Sequence, residues 1–224
     1  MKAMVPIAAA LLAAPLAAAT AQQRIDTPGT VDHAAARTGF PERVGDFRRA
    51  NVTRYDAEGR DISASYNLVR PEGRLLISVY VYPAPSVAAA PGAKETGEVA
   101  RATLCARDFE AAEQAIVRHN QGARLIERGS PPAVPGTEPR LGHRSVYEFR
   151  TRFDSGVQDV RSEARLYCYV GGDWQVKYRI TAPVAVDARA AIDAFVRAGP
   201  WPGRAPPPSP DETVALPGAA APAP

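Results

Sequence analysis

Few side chains in this chain stand at spacings that known chemistry requires. The three histidines are His33, His119 and His143, no two of them at metal-ligand spacing and none in an HExxH helix. The two cysteines, Cys105 and Cys168, lie too far apart for a zinc motif, so no metal site is expected. A G-x-S-x-G elbow is approached only by Gly129-Ser130-Pro131, which lacks its second glycine. Gly171-Gly172 opens no helix and so makes no phosphate loop, and no cofactor motif is found. Carboxylates pair along the chain as Asp159 with Glu163, Glu110 with Glu113 and Asp211 with Glu212. The first two pairs lie in regular elements among arginines, where solvated salt bridges are the ordinary explanation.

Two constellations remain. If the long strands share a sheet, strict alternation gathers Tyr80, Tyr82, Tyr167 and Tyr169 beside Lys177 and Arg179 on one face. Tyrosines offer broad amphipathic surfaces, and the two cations suit a small anionic ligand. The plainer reading is that the second helix packs on this face, because buried tyrosines are common in sheets. The other constellation is a disulfide between Cys105 and Cys168. Cys105 shares a helical face with Phe109, Ala112 and Ile116, and Cys168 alternates with Leu166 and Val170, so both should look into one apolar layer. An oxidising compartment would favour the bridge.

The elements that must hold these groups follow from periodicity. Strands are expected over 51–55, 61–69 and 74–82, the last with Leu75, Ile77, Val79 and Val81 on one face. A helix follows over 95–120, then a short strand over 123–128 and strands over 144–153, 159–170 and 174–181. Gly171-Gly172-Asp173 joins the last two as a tight hairpin. A closing helix runs over 187–198, with Ala191, Ile192, Phe195 and Val196 apolar. The order βββ-α-β-βββ-α implies an α+β fold: a single, mainly antiparallel sheet of about six or seven strands packed by two helices.

This succession resembles the PsbP/DcrB-like group of small exported α/β proteins. The residues behind the resemblance are YNLVRPEGRLLISVYVYP, the helix after it, and YVGGDWQVKYRITAP with its helix. The resemblance implies an antiparallel sheet packed by helices. It transfers no functional residue, and many members of that group have no known role.

The ends set the compartment and the domain plan. Residues 1–21 read as a cleavable signal peptide: Lys2, an apolar stretch from Val5 to Ala19, and Ala19-Thr20-Ala21 before a cut ahead of Gln22. Pro6 and Pro15 interrupt the stretch, which is too short for a stable membrane span. Residues 22–40 lack periodicity and are expected as an extended lead-in to a single domain over 41–201. Residues 202–224 are dominated by proline and alanine and read as a disordered tail. The 27 basic residues against 24 acidic ones become 26 against 24 once Lys2 is removed, a net +2 with no basic stripe, so no nucleic-acid partner is expected. The expectation is a periplasmic or secreted, non-enzymatic module that binds an envelope protein or a small anionic ligand. The alternative is a secreted hydrolase with an unfamiliar site, built on His143 or a carboxylate pair at the base of a pocket.

Overall fold

The computed structural model describes residues 22–87, 97–137, 141–154 and 156–204. The expected signal peptide, and the expected tail from residue 205 onward, lie outside the described residues. Alternating β-branched and aromatic residues form the long strands β5 (Phe47–Arg54), β6 (Ile62–Arg70) and β7 (Gly73–Pro83). After helix α1 (Gly97–His119) come β8 (Arg124–Gly129), β9 (Gly142–Phe153), β10 (Gly156–Val170) and β11 (Trp174–Pro183), and then helix α2 (Arg189–Ala198). Every pairing is antiparallel, so the molecule is α+β with a mainly antiparallel sheet packed by two helices.

The sheet holds nine strands among the described residues, not six or seven. Its order is β1-β5-β6-β7-β11-β10-β9-β8, with β4 (Arg43–Val44) also on β5. The additional strands come from the segment expected as a lead-in. Strand β1 (Gln23–Ile25) extends the edge at β5, while β2 (Val31–His33) and β3 (Thr38–Phe40) make a separate hairpin around a 3-10 turn at Ala34–Ala36. His33 and Phe40 are fully buried there, so residues 22–40 belong to the domain. His33 is held by an edge-on contact with Trp174 at 5.1 Å. At the other end Trp201 is buried, and the Gly203 N–H donates to the Ala36 carbonyl at 2.9 Å, so residues 202–204 lie on the domain rather than in a tail.

The two helices cover opposite halves of opposite faces. Helix α2 lies over the face of β5, β6, β7 and β11 that carries Ile77, Val79, Tyr66 and Tyr178. Its Phe195 meets Phe47 at 4.9 Å and Tyr66 at 5.0 Å, both edge to face. Helix α1 lies on the other face, over β9 and β10, with Cys105, Phe109 and Ile116 against Tyr147, Phe149 and Leu166. The disulfide is present. Cys105 on α1 is joined to Cys168 on β10, with Cα atoms 5.9 Å apart.

Candidate functional site

Because α1 sits over β9 and β10, the same face of β6, β7 and the near half of β11 is left half open. The register settles which side chains share it. Lys177 stands opposite Tyr80, and Arg179 stands opposite Ser78. Tyr80 in turn faces Ser63, and Ser78 faces Ser65. Directly opposed residues of an antiparallel pair point to the same side, so these six form one patch.

Tyr167 is not on that face. Across β10–β11, Lys177 opposes Leu166 and Arg179 opposes Ala164, whereas Tyr167 opposes Val176. Tyr167 is therefore buried beneath the other side, 5.0 Å from Trp201 and 6.2 Å from Tyr178, with its hydroxyl donating to the Pro132 carbonyl. Tyr169 does turn to the α1 side, though not by alternation. It sits at φ 55° where the register shifts between Tyr167 and Val170, and this bulge sends Val170 to the opposite core. Tyr169 then donates to the Pro85 carbonyl, lies under the Arg101 guanidinium and lines a separate hollow with Arg60 and Trp174. The expected constellation is thus reduced to Tyr80, Tyr82, Lys177 and Arg179. Helix α2 does not cover these four.

Two hollows of about 240 Å³ each sit on this patch and share Tyr80, Asp108 and Lys177. One runs toward Arg179 along a wall of Ala111, Ala112 and Ala115 from α1. The other runs toward Tyr55, Tyr82 and Asp61. The Lys177 ammonium lies 4.9 Å over the Tyr80 ring and 5.1 Å over the Tyr82 ring. Tyr82 donates to the Asp108 carboxylate at 2.7 Å. Burial holds the Lys177 amine below the usual lysine range, against the pull of Asp108 and Asp61. Burial lowers Arg179 in the same way. Asp61 is raised, by burial first and then by Asp56. Hydroxyls line the floor in pairs, Ser65 with Ser78 at 2.9 Å and Tyr55 with Ser63 at 3.1 Å. Tyr55, Asp61 and Asp108 had no mark in the sequence, because loop and helix packing brings them to the strands.

Lys177 and Arg179 make no hydrogen bond or ion pair with a described residue. A larger hollow of about 470 Å³ beside α2 shows the contrast. There one oxygen of Glu163 accepts from Nε of both Arg144 and Arg165 at 2.5 Å. Arg144 also reaches Glu127, and Arg165 reaches Asp193 at 2.8 Å. Those charges satisfy one another, and the other two arginines lining this hollow, Arg161 and Arg189, are exposed.

Of the groups expected for a hydrolase, His143 stacks on Phe109 at 5.3 Å, and burial holds it low against the upward pull of Glu113 and Glu110. Glu113 is taken by Arg128 and Tyr147, and Asp159 by Arg150. Asp211 and Glu212 lie outside the described residues. No group of three or more metal-ligating side chains occurs among the described residues, and no helix there is long and apolar enough to cross a membrane. No family model, no curated protein and no solved structure matches this chain.

Proposed function

We propose that this chain is an exported, non-enzymatic binding module that takes a small anionic ligand on the half-open sheet face beside α1. The observation that carries the reading is the pair Lys177 and Arg179, half-buried cations that make no hydrogen bond or ion pair with a described residue. A partly desolvated cation that makes no ion pair costs free energy, and an incoming anion offsets that cost, most directly at Arg179, since Lys177 already feels Asp108 and Asp61. The Tyr80 ring and the Ser65 and Ser78 hydroxyls beside them supply an apolar wall and hydrogen-bonding partners for orientation. Export is supported by the leader-like residues 1–21 and by the buried disulfide, a bond characteristic of oxidising compartments.

The test is calorimetric titration of residues 22–224 with acetate, hexanoate, benzoate and inorganic phosphate. Saturable binding of at least one anion is expected, weakened about tenfold or more in Arg179→Ala, the worth of one charge-assisted hydrogen bond. Binding by none of them, or binding unchanged in Arg179→Ala, would overturn the proposal.

A further inference from the structure

The face that holds Lys177 and Arg179 also carries charge of the opposite sign, distributed along one direction. Asp61 lines the far hollow, and its carboxylate makes no hydrogen bond or ion pair with a described residue. Asp108 stands at the junction of the two hollows and, among the described residues, is bonded only by the Tyr82 hydroxyl. Lys177 lies between them, so at that end two carboxylates face one ammonium. At the other end Arg179 has no acidic side chain nearer than Asp108 in the hollow it lines. The groove is therefore acidic and aromatic at the Asp61 end and basic at the Arg179 end.

We infer that the ligand of this groove is an elongated zwitterion, its anionic group on Arg179 and its cationic group at Asp61 beside Tyr55 and Tyr80. This rests on the anion-binding reading above and specifies the ligand class. A simple anion would satisfy Arg179 and leave Asp61 unpaired in a half-desolvated place. A dipolar ligand pairs both. Tyr55, whose ring centroid lies 6.4 Å from that of Tyr80, adds an aromatic face for an ammonium at the same end, while Lys177 already lies over Tyr80. The register sets the length. Arg179 is level with Ser78 and hence with Ser65, while Asp61 lies four residues before Ser65 on the chain and two strands away from Arg179. At about 3.3 Å per residue and about 4.8 Å per strand, the two backbones are about 16 Å apart. The charges of an α-amino acid sit side by side, so glycine cannot reach both ends. A chain with its charges at opposite termini can.

The experiment titrates residues 22–224, and the Asp61→Asn and Arg179→Ala variants, with 6-aminohexanoate, 8-aminooctanoate, hexanoate, octanoate and glycine. A chemical-shift map of the Tyr80 and Lys177 amides reports the place of binding. An ω-amino acid should bind about tenfold tighter than the carboxylate of equal length, and glycine no better than that carboxylate. Asp61→Asn should abolish the difference between ω-amino acid and carboxylate, and Arg179→Ala should weaken both. Equal binding of ω-amino acid and carboxylate, or a preference that survives Asp61→Asn, overturns the zwitterion inference and leaves anion binding standing. Loss of every interaction with the wild-type chain overturns both.

Discussion

Replacing both bridge cysteines, as Cys105→Ala with Cys168→Ala, should lower stability by an amount the topology sets. The cysteines are 63 positions apart, and the bridge closes a loop running from α1 through β8 and β9 to β10. Cross-linking a loop of about 64 residues removes unfolded-state entropy worth about 4 kcal/mol near room temperature. For a domain of this size each kcal/mol moves the melting temperature by about 2–4 °C, so a fall of roughly 8–16 °C is expected. Both sulfurs are buried, Cys105 at 0% and Cys168 at 1% exposure, so the lost packing pushes the fall toward the upper end. The assay is thermal unfolding by circular dichroism of the oxidised wild type, both single variants and the double variant. Either single variant should lose as much as the double one, because each breaks the same bond. A fall under about 3 °C would refute the reasoning. It would show that the β9–β10 pairing already restrains the unfolded loop, or that the native bridge carries compensating strain.

Acidification should weaken the fold through His33. Its Nδ1 accepts from the Ala36 N–H and its other nitrogen faces the Val81 carbonyl, an arrangement that suits the neutral ring. Burial holds His33 below 6.5 in the folded state, so its contribution is present above that value and is lost as pH falls toward the folded value. The melting temperature should drop between pH 7 and pH 5, and His33→Gln should flatten that slope; equal slopes would count against the assignment. Glu163→Gln should cost about 3–5 kcal/mol in urea unfolding, because it strips two buried guanidinium groups of their shared carboxylate. Asp159→Asn breaks only the exposed pair with Arg150 and should stay within about 1 kcal/mol. Tyr178→Phe should be neutral or stabilising, since the buried Tyr178 hydroxyl has no hydrogen-bond partner among the described residues; a loss above about 1 kcal/mol would mean that the hydroxyl is satisfied.

Much of this architecture is legible in the chain because its long strands alternate cleanly. Leu75, Ile77, Val79 and Val81 fall in one core as their spacing requires, and Gly171 and Gly172 take the positive φ of the hairpin expected at them. The disulfide is legible because Cys105 shares its helix face with Phe109 and Ile116 and Cys168 alternates with Leu166 into the same core, although the bulge beyond it turns Val170 away. Tyr167 was not, because alternation within a strand says nothing of the register between strands, and only the pairing of Leu166 with Lys177 decides which tyrosine shares the cations' side. The bulge at Tyr169 has no glycine to announce it. Strands β1 to β3 are too short to show a period, and they are fixed instead by His33 and Phe40 entering the core. Asp61 and Asp108 are ordinary surface acids until α1 and β7 bring them together.

The way α2 covers the first strands has a consequence for the order of events during synthesis. Phe47, Tyr66, Ile77 and Val79 are made early, yet the side chains that close over them, Ile192, Phe195, Val196 and Trp201, come last. Likewise β7 finds its second sheet neighbour in β11, about a hundred residues later. A nascent chain that stops short of α2 has half of its core without a lid and the middle of its sheet without a strand. The domain therefore cannot lock into its final shape while it is still emerging. The core over β5 to β7 closes only after α2 has been made.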